Sequence, residues 1–232
     1  MESFLQRTEL LIGKEAVEKL RNTRIALFGV GGVGGFTAEA LARCGVGHID
    51  LIDKDKVSVS NLNRQIVALN STIGMYKTEV MASRIHDINP QATVNCINKF
   101  FLPENSNEFD FSQYDYVIDA IDTVTAKIEL IVKCKQSGTK IISAMGTGNK
   151  TDPFKFCVTD IYKTSGCPLA RVMRRELRKR NIESHKVLYS KAEIIKPLPD
   201  ENGNVVTASV SFVPSVAGLM LAAEAVRDII EK

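Results

Sequence analysis

Apolar residues come in short unbroken runs along the first two-thirds of the chain, separated by longer stretches of mixed polarity. The run R-I-A-L-F-G-V at 24–30 ends in glycines, and a small-residue helical pattern follows at 33–44. Further runs at 48–53, 93–98, 115–122 and 139–144 read as strands. A polar loop after 53 leads into a helical stretch that stops near Asn89-Pro90, because proline cannot continue the ladder of amide donors. Continuous apolar strands separated by helices mean a parallel sheet covered on both faces. Such a sheet binds ligands outside the carboxyl ends of its strands.

After Met145 the texture changes. A loop rich in Gly and Asp at 146–153 precedes a strand-like run at 155–160 and then a basic helix. Strand signals at 186–191 and 205–213 and a terminal helix at about 215–231 close the chain. No linker, repeat or low-complexity tract interrupts it. The expectation is one domain over 1–232, with a nucleotide-binding part at about 1–150 and an extension at about 151–232. The fold class expected is α/β, Rossmann-like and doubly wound, its mainly parallel sheet extended by antiparallel strands in the C-terminal third.

Composition narrows this little. Of 232 residues, 44% are hydrophobic and 25% charged, which suits a globular core without staples and excludes disorder, collagen and coiled coil. Five cysteines, none in a C-x-x-C pair, argue against a disulfide scaffold and a four-cysteine zinc site. The opening residues have neither a basic leader nor an apolar stretch, so no signal peptide is expected. Residues 204–223 carry no charge, but Thr207, Ser209, Ser211, Pro214 and Ser215 favour a buried strand–helix pair over a membrane span. No stable membrane insertion and a cytoplasmic location are expected.

Charge is uneven. The whole chain carries +3, yet residues 163–196 hold ten Lys/Arg against three Asp/Glu. The densest part, 171–180, includes Arg171, Arg174, Arg175, Arg178, Lys179 and Arg180. A local patch like this suits a polyanion, although a solvated helix face has the same signature.

The sharpest signal is G-V-G-G-V-G at 29–34, a G-x-G-x-x-G between a strand and a helix. Glycines let the backbone approach phosphates, and the helix N-terminus supplies N–H donors. Asp53 ends the second strand, where a carboxylate can accept from ribose hydroxyls. This defines an adenine nucleotide site without saying which nucleotide, since NAD enzymes share the pattern. Downstream residues discriminate. A triphosphate needs more positive charge and a metal-holding carboxylate than a dinucleotide does. Arg64 offers a bidentate fork, Lys77 a point charge, and Asp122 lies at a strand's carboxyl end where it could hold Mg²⁺. Together they favour ATP.

With G-V-G-G-V-G, the segment L-I-D-K-D-K-V-S-V-S-N-L-N-R-Q and D-A-I-D, the chain resembles the ThiF-type, ubiquitin-activating-enzyme-like superfamily. The resemblance runs from about residue 3 to the end. The segments at 143–153, 166–174 and 209–218 look like one branch, the tRNA threonylcarbamoyladenosine dehydratases. It implies adenylation of a carboxylate with ATP and Mg²⁺, here the threonyl carboxylate of N6-threonylcarbamoyladenosine in tRNA. Gly29, Gly31, Gly32 and Gly34 would line the phosphates, and Asp53 would bind the ribose. Asp55, Asn61, Arg64, Gln65 and Lys77 would complete the nucleotide site. Asp122 would hold the metal and act as the main catalytic group, with Arg64 and Lys77. Arg7 matches the position from which superfamily homodimers send an arginine into the partner's site. A monovalent cation and a sulfur-relay-type helper protein are compatible with the resemblance. Two departures stand out: zinc-binding C-x-x-C pairs are absent, and Cys167 stands where the branch more often has Asp. The main rival activity is adenylation of the C-terminus of a ubiquitin-like sulfur carrier. An NAD-dependent oxidoreductase and a non-catalytic nucleotide-binding module are further alternatives.

Overall fold

The computed structural model describes residues 3–231. Helices α1 (Gln6–Ile12) and α2 (Lys14–Arg21) come first, then β1 (Arg24–Phe28), α3 (Gly34–Arg43) and β2 (His48–Ile52). Next are α4 (Lys77–Ile88), β3 (Thr93–Ile97), β4 (Tyr116–Asp119), α5 (Val124–Ser137) and β5 (Lys140–Ala144). The last third holds β6 (Phe156–Asp160), α6 (Pro168–Arg178), β7 (Lys186–Ser190) and α7 (Phe212–Ile230).

The seven strands form one sheet in the order β3-β2-β1-β4-β5-β7-β6. Every neighbouring pair is parallel except β6 with β7. The expected antiparallel extension is therefore a single strand, since β7 still runs parallel to β5. The order reverses at β1, so the crevice between the carboxyl ends of β1 and β4 is the topological switch point.

β1 shows why its sequence does not alternate in polarity. Ile25 and Leu27 enter the cluster built with α3, α4 and α7, while Ala26 and Phe28 enter the cluster on the other face, with α5 and α6. Both faces are dry, and each large side chain so buried contributes about 1.5–3 kcal/mol. On the second face Phe28, Phe101, Phe109 and Phe111 meet ring to ring, with Phe28 and Phe101 edge-on at 5.1 Å. On the first face α7 lies close along α3. Gly218 makes this possible, because a Cβ there would run into the Val33 carbonyl. The Thr37 hydroxyl donates to the Gly218 carbonyl at 3.0 Å across the same contact.

The strand expected at 205–213 is not formed. Residues 205–211 lie outside every strand, with Val205 and Val206 exposed, and α7 already begins at Phe212. The period-two pattern is real, but no neighbouring strand is there to pair with it. One residue replaces that neighbour: Asn149 donates its N–H to the Ala208 carbonyl at 2.8 Å and accepts from the Ala208 N–H through Oδ1 at 2.7 Å. Asn149 has φ +59°, a left-handed conformation that asparagine tolerates better than most residues. Among the described residues no helix is long and apolar enough to cross a membrane.

Candidate active site

The glycine loop sits at the switch point. Gly29 has φ +90°, and a Cβ there would lie 2.7 Å from the Ala120 carbonyl oxygen, so the loop can cross the end of β4 only as glycine. Gly34 differs from its expected role. It opens α3 directly against the Gly29 carbonyl, leaving no room for a side chain, and does not line the cavity. Its lack of a Cβ sets how closely helix and loop pack, the third-glycine function of this motif.

Asp53 ties the loop to β2. Its Oδ2 accepts from the Val30 N–H at 2.7 Å and its Oδ1 from the Asp55 N–H at 2.8 Å. Each oxygen keeps a lone pair, so the carboxylate can position the loop and still accept from a ribose.

A cavity of about 500 Å³ opens beside the loop at the carboxyl ends of the strands. Gly29, Gly31 and Gly32 form part of its wall, with Asp53 and Asp55 behind them. Asn61, Arg64, Gln65 and Lys77 also line it, as does Asp122 in the connection after β4. Lys77, the first residue of α4, is buried, and its Nζ lies 2.9 Å from Asp55 Oδ2. Arg64 donates through Nη1 to the Ser60 carbonyl and to Asn63 Oδ1, both at 2.8 Å, which orients the guanidinium. Asn61 spends its Oδ1 on the Ser58 N–H at 3.1 Å, shaping the turn that carries Arg64. Gln65 is buried on the cavity wall, and its Oε1 has no hydrogen-bond partner among the described residues. A buried acceptor left open beside a cavity is satisfied when a donor enters it.

Sequence reasoning missed part of the lining. Lys54, Lys99, Phe100 and Phe101 face the cavity, with Lys54 Nζ 4.2 Å from the centre of the Phe100 ring. They follow the carboxyl ends of β2 and β3, the signal that could have found them. With Arg64 and Lys77 they bring the lining cations to four, Lys54 and Lys99 being exposed. Four cations suit a polyphosphate better than a single pyrophosphate. The rest of the lining comes from Met145–Gly148, Leu169 of α6, Thr207, Ser209 and Pro214.

Among the described residues, no three His, Cys, Asp or Glu side chains gather to hold a metal by themselves. The exposed Asp122 carboxylate therefore fits Mg²⁺ only as one protein ligand completed by nucleotide phosphates, which is how that ion is commonly held. Arg7 is not brought to the cavity. It is exposed on α1 and lies outside the lining. His48, His86 and His185 are likewise outside it.

The basic segment forms α6, which buries Ala170, Met173 and Leu177 and turns most of its basic residues to the surface. Cys167 caps it, with Sγ accepting from the Ala170 N–H at 3.5 Å, and is itself buried. Three of the cations are partly neutralised. Lys179, Arg180 and Arg175 hydrogen-bond Glu176 and push its carboxyl down to about 2. Arg174 donates to Thr164, and the Arg178 guanidinium lies 5.0 Å over the Tyr162 ring. Leu169 joins the start of this helix to the cavity.

A doubly wound sheet with a glycine loop at its switch point, beside a cavity lined by four cations and the exposed Asp122 carboxylate, defines a nucleotide-binding α/β protein suited to a polyphosphate. The ThiF family model matches residues 5–232, and the chain belongs to that family. It is 43% identical to the tRNA threonylcarbamoyladenosine dehydratase of Bacillus subtilis, over 97% of this chain and 94% of that protein. Its fold matches the crystal structure of the Escherichia coli tRNA N6-threonylcarbamoyladenosine dehydratase in complex with ATP. The TM-score is 0.89 at 34% identity, covering 97% of this chain and 92% of that one. An adenylyltransferase and sulfurtransferase of Saccharomyces cerevisiae is 35% identical over 57% of this chain and 30% of its own length.

Proposed function

We propose that this protein is an ATP-dependent enzyme that dehydrates N6-threonylcarbamoyladenosine in tRNA to a cyclic form. The observation that carries the reading is the single cavity joining the glycine loop, four cations and Asp122 to the first turn of the basic helix α6. The similarity to dehydratases over nearly the whole chain, α6 included, supports it.

The threonyl carboxylate is a poor electrophile. Its oxygen attacks the α-phosphorus of ATP, the bond to pyrophosphate breaks, and an acyl adenylate forms. A urea nitrogen of the same side chain then attacks the acyl carbon, AMP leaves, and the nitrogen's proton passes to solvent. The base has lost one water. Arg64 and Lys77 stabilise the charge growing at phosphorus, and Lys54 and Lys99 add to the field. Magnesium, held by Asp122 with the phosphates, would supply further charge neutralisation. Ring closure is intramolecular, so holding the chain in a reactive conformer contributes much of the second step, on the order of 7–11 kcal/mol at best.

Adenylation of a sulfur carrier would use the same nucleotide site. It fits this chain less well, because Cys167 is buried as a helix cap and no C-x-x-C pair is present. The proposed assembly is a homodimer in which Arg7 of each subunit completes the other's site. A tRNA substrate makes the cytoplasm the working compartment. A monovalent cation and a sulfur-relay-type helper belong to the same reading.

The test is mass spectrometry of nucleosides from modified tRNA incubated with the protein, ATP and Mg²⁺. Expected are loss of one water from threonylcarbamoyladenosine, matched by AMP release. Asp122→Ala should lower turnover about 10²–10³-fold, the range for removing one charge-stabilising group. Unchanged nucleoside, with ATP bound and the tRNA intact, would overturn the reading.

A further inference from the structure

Lys127 lies outside the motifs, and its buried partner Asp119 opens the D-A-I-D segment without having been given a role. Both side chains are fully buried, 0% exposed, with Lys127 Nζ 2.9 Å from Asp119 Oδ1. Asp119 ends β4, and Lys127 sits in the first turn of α5. Between them runs the connection that carries Asp122 and crosses the glycine loop at Ala120. The pair grips this connection from both sides of one residue. Lys127 Nζ donates to the Ile121 carbonyl at 2.9 Å, and Asp119 Oδ1 accepts from the Ile121 N–H at 3.2 Å. Asp119 Oδ2 has no hydrogen-bond partner among the described residues, so the pair is not built for maximum hydrogen bonding.

A buried ion pair is weak evidence for stability, because desolvation offsets most of the attraction and apolar replacements of similar size are often as stable. Its location is more informative than its energy. Three consecutive residues of the gripped connection, Ala120, Ile121 and Asp122, line the cavity. We infer that Lys127 and Asp119 are positioning residues, whose shared hold on Ile121 fixes the Asp122 carboxylate in the cavity it lines with Arg64 and Lys77. The inference rests on the adenylation reading above. A displacement of about 1 Å in a reacting group can cost on the order of 10²-fold in rate.

The experiment is ATP–pyrophosphate exchange in the presence of modified tRNA, with thermal melting of each variant. Asp119→Leu/Lys127→Met removes both anchors without stranding a charge. Asp119→Asn/Lys127→Met keeps an acceptor for the Ile121 N–H. Both should fold, with kcat lowered about 10²-fold in the first and less in the second, and with KM for ATP little changed. Adding Asp122→Ala to the first variant should cost nothing beyond Asp122→Ala alone, because the pair acts through that carboxylate. Equal kcat in a folded double variant would overturn the inference. So would a full additional loss in the Asp122→Ala background. No exchange by the parent chain with ATP bound would overturn the adenylation reading itself, and this inference with it. Exchange by the parent and equally by the variants would overturn the positioning role alone.

Discussion

Between β5 and β7 the His185 imidazole shares one hydrogen bond with the Ser143 hydroxyl at 2.8 Å, and its Nδ1 has no partner among the described residues. Burial pushes its pKa down to about 3, with Lys135 and Lys127 adding to the effect and Asp160 opposing it. An unfolded histidine takes its proton near 6.5. Between these values the unfolded chain binds the extra proton, so stability is complete above about pH 6.5 and falls as the pH drops toward 3. The slope approaches about 1.4 kcal/mol per pH unit for one such group. The urea midpoint should therefore decline between pH 7 and pH 5, above the range where most carboxylates titrate. His185→Gln should flatten that decline, and an unchanged slope would show that another group is responsible. The same residue marks a limit of sequence reading. It lies outside every motif and outside the cavity lining, and only packing shows that it is buried and half-satisfied. Asp53 is the opposite case. Its place at the end of the second strand singled it out, although its second task, holding the Val30 N–H, needed coordinates.

Among the elements, strands buried on both faces were the most legible, because β1, β2, β4 and β5 are dense enough in apolar residues to leave no other reading. The 205–211 segment was misread because alternation records a local preference, while a strand also needs a neighbour, and Asn149 had taken that place. For α6 the charge run was plain, but not its division of labour. Glu176 engages Arg175, Lys179 and Arg180, whereas Arg171 is exposed, with no ion pair or side-chain hydrogen bond at its guanidinium among the described residues. Arg171 and the ring-stacked Arg178 are accordingly the freest for phosphate. Arg171→Ala/Arg178→Ala should weaken tRNA binding across sequences and reduce the salt slope by about one for each phosphate no longer engaged, leaving ATP affinity unchanged. A filter-binding titration at several salt concentrations checks this. An unaltered slope would remove α6 from the docking surface.

At the scale of the whole molecule, the cavity lacks one group assigned to it by resemblance. Arg7 lies on α1, away from the site of its own chain. The same short helix exposes Leu10 at 83% and Leu11 at 85%, apolar surface that a second copy could cover while carrying Arg7 to the partner's cavity. If each site is shared in this way, defects on opposite sides of it must complement each other. Arg7→Ala alone should lose turnover yet bind ATP in a cavity whose lining is intact, and Asp122→Ala alone should lose turnover for its own reason. A heterodimer of the two variants holds one site with both defects and one with neither. Random reassortment makes half of the dimers mixed, so activity should return to about a quarter of the parent level. Sedimentation of Leu10→Ser/Leu11→Ser should show a monomer that no longer takes part in this rescue. A mixture as inactive as its components, in which subunit exchange is shown to occur, would mean that Arg7 serves no partner and that each chain works alone.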